Sequence, residues 1–147
     1  MRLRQSARVG APTVLTVAVV LCSWAVFTSS ALTPVKVAFL TDCQMYSDWQ
    51  SVAMIYSFKM SGQVGSLTRV MCCDEKRMET YPKELLDEVE THIAPSFTVH
   101  PVTHDNYAAY NKPEAVIDYL QHVSPDEEYV LVLDSDMIMR RPFLVEP

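Results

Sequence analysis

The apolar residues of this chain fall into short runs separated by stretches with helical spacing. VKVAFLT (Val35 to Thr41) is a β-branched and aromatic run after Pro34 and predicts a strand. Ser47 then reads as a helix N-cap, with Trp49, Val52, Ala53, Tyr56 and Met60 on the apolar face and Gly62 as the stop. On this reading Trp49 belongs to the core. SLTRVMCC (Ser66 to Cys73) predicts a second strand. Pro82 opens a helix with Leu85, Leu86, Val89 and Ile93 on one side, and Pro95 closes it. FTVHPV (Phe97 to Val102) is the expected third strand. A helix opened by Asn111 and Pro113 follows, with Val116, Tyr119, Leu120 and Val123 facing inward. YVLVL (Tyr129 to Leu133) is apolar throughout, as in a parallel strand buried on both faces. Strands alternating with helices predict an α/β layered domain with a mainly parallel sheet.

The last strand runs directly into Asp134, Ser135 and Asp136, and the apolar MIM (Met137 to Met139) follows at once. Ligands of open parallel sheets gather at the carboxyl ends of the strands. Residues i and i+2 of an extended segment share a side, so both carboxylates are expected to meet one ligand. Paired carboxylates repel unless a cation lies between them. A hard divalent ion, Mn²⁺ or Mg²⁺, with a phosphate on its far side resolves that conflict. A turn that merely ends a strand is the competing explanation; a second apolar run so close weighs against it. An EF-hand is set aside, because residues 134–145 hold no glycine and Val145 stands where the last ligand would be. A haloacid dehalogenase-type phosphatase would carry its Asp-x-Asp on the first strand, with further motifs downstream.

Composition narrows the function classes. A hydrophobic content of 49% excludes whole-chain disorder, and a net charge of −6 argues against nucleic acid as partner. The three arginines of the first 31 residues (Arg2, Arg4, Arg8) precede the apolar run Val14 to Phe27 and small residues at Ser29 and Ala31. That is the layout of a secretory signal cut after Ala31, or of an uncleaved membrane anchor. Either places the rest in an oxidising lumen. Of the lumenal cysteines, Cys43 is expected to pair with Cys72 or Cys73, and buried free thiols are the alternative. With no CxxC and no Cys/His cluster at zinc spacing, a zinc site is not expected.

Three blocks carry a family resemblance: TDCQMYSDWQSVAMIYSFKMSGQVGSLTRVMCC (Thr41 to Cys73), NYAAYNKPEAVIDYL (Asn106 to Leu120) and EYVLVLDSDMIMRRPF (Glu128 to Phe143). Together they resemble the peptidyl serine α-galactosyltransferases of plants and green algae, which are similar to hydroxyproline O-arabinosyltransferases. The resemblance implies that residues 35–147 are the Rossmann-like, nucleotide-sugar-binding half of a GT-A glycosyltransferase of the endoplasmic reticulum or Golgi. It implies transfer of galactose from UDP-galactose to serine of hydroxyproline-rich proteins. Asp134 and Asp136 match the DxD that holds Mn²⁺ against the donor diphosphate, with Asp134 also touching the donor. The DSD triplet favours the galactosyl branch over the arabinosyl one.

Several other positions follow from the same resemblance. Asp42, with Thr41 and Cys43, stands where such a fold meets uridine, and a strand-end cap is its alternative role. Lys112 is a candidate for a donor phosphate; Asn111 beside it is a candidate helix cap. Gln50 belongs to the matching WQ pair. His100 and His104 read as surface residues. No residue is assigned as nucleophile or base. Because GT-A enzymes continue past the DxD, the expectation is a chain truncated after that strand, with its acceptor half missing and no transfer activity alone. A non-catalytic lumenal module binding a nucleotide or partner is the competing function.

Overall fold

Val35 to Phe39 are so thoroughly enclosed that even Lys36 is only 6% exposed, and this explains why the segment forms the middle of a sheet. The structure is a computed structural model that describes residues 32–145. The leader lies outside the described residues. Within them no helix is long and apolar enough to cross a membrane.

The elements are β1 (Val35–Asp42), α1 (Met45–Ser61), β2 (Leu67–Cys72), α2 (Glu75–Met78), β3 (Glu90–Ala94), α3 (Asn111–His122) and β4 (Tyr129–Asp134). Short 3-10 turns occupy Lys83–Leu85 and Ala108–Tyr110. The four strands form one all-parallel sheet in the order β3-β2-β1-β4. This is the expected α/β, Rossmann-like half-domain. Strand order reverses between β1 and β4, so the carboxyl ends of those two strands flank the crevice where such sheets bind ligands.

Side chains alternate across β1, and each face acquires its own core. Val37 and Phe39 pack with Met54 and Ile55 of α1. Ala38 packs on the opposite face with Val70, Ala115 and Tyr119, under α3. Near the start of that second face, Lys36 Nζ donates to Glu90 Oε2 at 2.7 Å, and the Thr68 hydroxyl donates to the same oxygen at 2.7 Å. This strap ties β1, β2 and β3 together. Burial alone would lower the Lys36 pKa; the bond to Glu90 and the surrounding negative charge outweigh it and raise the pKa. The bonds from Lys36 and Thr68 hold the Glu90 carboxyl below its usual range. Arg69 is buried on the α1 face of β2, where it donates to the Leu85 carbonyl and to Thr91 Oγ1.

Four sequence expectations are corrected. The inward face of α1 is Ser47, Gln50, Ser51, Met54, Ile55, Ser57 and Ser61, while Trp49, Val52, Tyr56 and Met60 are exposed. Ser51, Ser57 and Ser61 satisfy their hydroxyls on carbonyls three or four residues back, so small side chains can lie against the sheet without an unpaired group. Gln44, not Ser47, is the N-cap. The third strand is Glu90–Ala94, not Phe97 to Val102, because the free edge of β2 takes up residues that otherwise show helical spacing. Residues 97–102 contribute one antiparallel bridge, Val99 to Asn106. Finally, β4 is half-buried, because among the described residues it pairs only with β1.

The stop read at Gly62 holds, whereas Pro95 follows a strand and closes no helix. Gly62 ends α1 with φ 72°, in the left-handed region. Gly65, at φ 118°, passes so close to Val35 that any Cβ would collide with its backbone. Cys43 and Cys73 form a disulfide, and it joins the carboxyl ends of β1 and β2. Cys72 is a free buried thiol, pushed up to about 12 by burial and then by the charges of Asp42 and Asp118.

Candidate functional site

Where β1 and β4 end side by side, a cavity of about 250 Å³ opens between them. β1 contributes Leu40, Thr41 and Asp42, and β4 with the following turn contributes Asp134, Ser135 and Asp136. The first two turns of two helices complete the rim, with Tyr46, Ser47 and Gln50 from α1 and Asn111, Lys112 and Ala115 from α3. All four candidate residues, Asp42, Lys112, Asp134 and Asp136, thus border one cavity.

The way Asp136 arrives there differs from the extended arrangement expected of i, i+2 residues. The strand ends at Asp134, and Ser135 and Asp136 form a turn closed by Met137 N donating to the Asp134 carbonyl at 3.2 Å. The MIM run is not a buried segment either. Met137 and Ile138 are exposed, and only Met139 packs on the α1 side. The turn is fixed from α1 instead: the Ser135 hydroxyl donates to Gln50 Oε1 at 3.0 Å, and Met139 N donates to Ser57 Oγ at 3.1 Å.

Lys112 Nζ donates to Asp134 Oδ2 at 2.8 Å, and that bond raises the Lys112 pKa despite some burial. Asn111 does not cap its helix. Its Nδ2 donates to Asp42 Oδ1 at 2.9 Å, and its Oδ1 accepts from Phe97 N at 2.8 Å. Asp42 is therefore tied to the start of α3 through one oxygen. Thr41 Oγ1 is buried at the cavity wall with no hydrogen-bond partner, although buried hydroxyls normally find one. Gln50 and Thr41 are the contributions that spacing alone did not single out as ligand-facing. Gln50 was visible only as part of a matching pair.

These donors fit a hard divalent ion. Asp134 and Asp136 offer carboxylate oxygens, Ser135 and the unpartnered Thr41 offer hydroxyls, and no sulfur or imidazole borders the cavity except the protonated Cys72 thiol. Two helix N-termini and the Lys112 ammonium border the same space and favour an anion beside the carboxylates. Trp49, expected in the core, is 58% exposed and packs edge-on against Tyr46. His100 accepts from the backbone N–H groups of Val102 and Thr103, and both His100 and His104 lie in the loop before α3.

Comparison with known proteins gives a consistent set of relatives. Residues 36–145 match the hydroxyproline O-arabinosyltransferase family N-terminal domain. The peptidyl serine alpha-galactosyltransferase of Chlamydomonas reinhardtii is 65% identical over 114 residues, which are 78% of this chain and 15% of that protein. Its namesake in Arabidopsis thaliana is 45% identical over 104 residues, 71% of this chain and 13% of that protein. Hydroxyproline O-arabinosyltransferase 1 of Arabidopsis thaliana is 27% identical over 106 residues, 67% of this chain and 26% of that protein. The chain thus spans about a seventh of the galactosyltransferases it matches. No solved structure matches it.

Proposed function

The chain belongs to the hydroxyproline O-arabinosyltransferase family, and from that premise we propose that it carries the donor site of a GT-A galactosyltransferase. The reaction is transfer of galactose from UDP-galactose to serine in hydroxyproline-rich proteins. The observation that carries the reading is the convergence of Asp134, Asp136, Lys112 and two helix N-termini on one cavity at the reversal of strand order.

Each residue has a role that follows from its chemistry. Asp134 and Asp136 would hold Mn²⁺ or Mg²⁺, which when bound would offset the negative charge developing on the departing UDP. Lys112 leaves Asp134 for a donor phosphate, which it meets as a point charge. Asp42, held through Oδ1 by Asn111, presents its other oxygen to the ribose or base. The Thr41 hydroxyl gains the partner it lacks in the free chain. Gln50, through Ser135, keeps the turn between the two aspartates in place. This pre-set geometry is worth more than flexible ligands of the same kind, because less ordering accompanies binding.

The galactosyl reading is supported over the arabinosyl one by identity, at 65% and 45% against 27%. The Cys43–Cys73 disulfide supports a lumenal compartment of the secretory pathway. The test is a transfer assay on the protein that contains this chain, with radiolabelled UDP-galactose, Mn²⁺ and a serine-containing hydroxyproline-rich peptide. Galactosylated serine that disappears in Asp134→Ala is the expected product. Arabinosylated hydroxyproline from UDP-arabinose would select the other branch.

A further inference from the structure

β3 and α3 bring together a second set of ligating atoms, none of which borders the cavity of the aspartates. Asp118 and His122 stand one helical turn apart on α3, about 10 and 16 Å along the helix from Asn111. His92 projects from β3 on the same face of the sheet. One nitrogen from each imidazole and one carboxylate oxygen lie within 4.8 Å of one another.

We propose that His92, Asp118 and His122 form a binding site for a late first-row divalent ion, with Zn²⁺ the best match. Two imidazoles and one carboxylate are the donors such ions select, whereas Mg²⁺ and Ca²⁺ select oxygen alone. Bonds of about 2.0–2.2 Å in a tetrahedron place ligand atoms about 3.4 Å apart. The present contacts straddle that separation: His92 Nε2 is 2.7 Å from Asp118 Oδ2, and His122 Nδ1 is 3.6 Å from Asp118 Oδ1.

The surroundings suit the task. His92 and Asp118 are largely enclosed, and Tyr119 packs against the His92 ring at a centroid distance of 5.4 Å, which fixes its plane. His122 is 63% exposed and its ring stacks over His92, so the ion enters from solvent and keeps a water in its fourth position. His122 Nδ1 carries a proton in its 2.7 Å contact with the Asp118 carbonyl. Ligation through that nitrogen uses the tautomer that carries its proton on Nε2. The bound ion clips edge strand β3 to α3, the helix whose first turn carries Asn111 and Lys112. Short-range spacing cannot reveal the site, since His92 and Asp118 are 26 residues apart.

The experiment titrates the chelator-treated full chain with Zn²⁺ alone and follows heat of binding and melting temperature. One equivalent of Zn²⁺ binds and raises the melting temperature, and His122→Ala loses both effects. His122 is exposed, so that variant folds. Asp136→Ala, altered at the other acidic site, keeps the response. No Zn²⁺-dependent rise in the unaltered chain, an undiminished response in His122→Ala, or its loss in Asp136→Ala would each overturn the proposal.

Discussion

Lys112 Nζ sits 2.8 Å from Asp134 Oδ2 and so joins the first turn of α3 to the end of β4. An ammonium stands against a carboxylate that is also a candidate metal ligand. The ion pair is more than half exposed on the lysine side, so it adds under about 1 kcal/mol to stability. On the function proposed above, its worth lies in neutralising Asp134 until a metal and a diphosphate arrive together. Lys112→Ala is expected to leave the denaturant midpoint nearly unchanged and to weaken UDP binding with Mn²⁺ about tenfold, the loss of one charge-assisted bond. Titration calorimetry beside urea unfolding separates the two effects.

Asn111 links Asp42 to the Phe97 backbone, so its removal orphans an acceptor and a donor at once. Asn111→Ala is expected to cost about 1–3 kcal/mol, read as a lower urea midpoint with an unchanged slope. An unaltered midpoint would mean that solvent replaces both bonds.

Glu90 sets an acid limit. Its carboxyl is held below the usual carboxylate range because Lys36 and Thr68 bond to it. A depressed folded pKa means the contribution is complete above the unfolded value and is lost as pH falls through the folded one. Glu90→Gln should therefore be less stable than the unaltered chain at pH 7, by about 1 kcal/mol since Glu90 is 55% exposed. The difference should shrink progressively below pH 4.5. Urea midpoints across that range give the sign; a gap that widened in acid would exclude the strap as its source.

Of the three cysteines among the described residues, two stabilise and one stays silent. Closing a loop of 30 residues, the Cys43–Cys73 bond contributes about 3–4 kcal/mol through the unfolded state. Reduction should lower the melting temperature accordingly. Cys72, whose thiol is pushed up to about 12 by burial first, should resist iodoacetamide at pH 8 in the folded chain and react fully in urea, as peptide mass mapping would show.

Much of the sheet could be read from the chain, and the reasons for the misses are physical. β1 and β2 are interior strands, so their β-branched runs match their surroundings on both faces. Helix α1 has two candidate stripes, and the larger side chains mark the wrong one. Trp49 and Tyr56 face solvent while serines with self-satisfied hydroxyls face the sheet. Met54→Ala, at the buried side, should cost about 2–5 kcal/mol, and Trp49→Ala under about 0.5 kcal/mol. β3 was hidden because Ile93 completes a helical spacing with Leu85, Leu86 and Val89, whereas it is Glu90–Ala94 that pairs with the edge of β2. The paired aspartates were legible as a site, yet what holds them, Gln50 on Ser135, is a contact across 85 residues that no local pattern contains.

The central claim is that Asp134 and Asp136 make the cavity a metal-dependent diphosphate site. Calorimetric titration of the full chain with UDP, with and without Mn²⁺, tests it most directly. The account predicts UDP binding that requires Mn²⁺ and vanishes in Asp136→Ala. Binding of UDP that is indifferent to Mn²⁺, or that survives intact in Asp136→Ala, would contradict it.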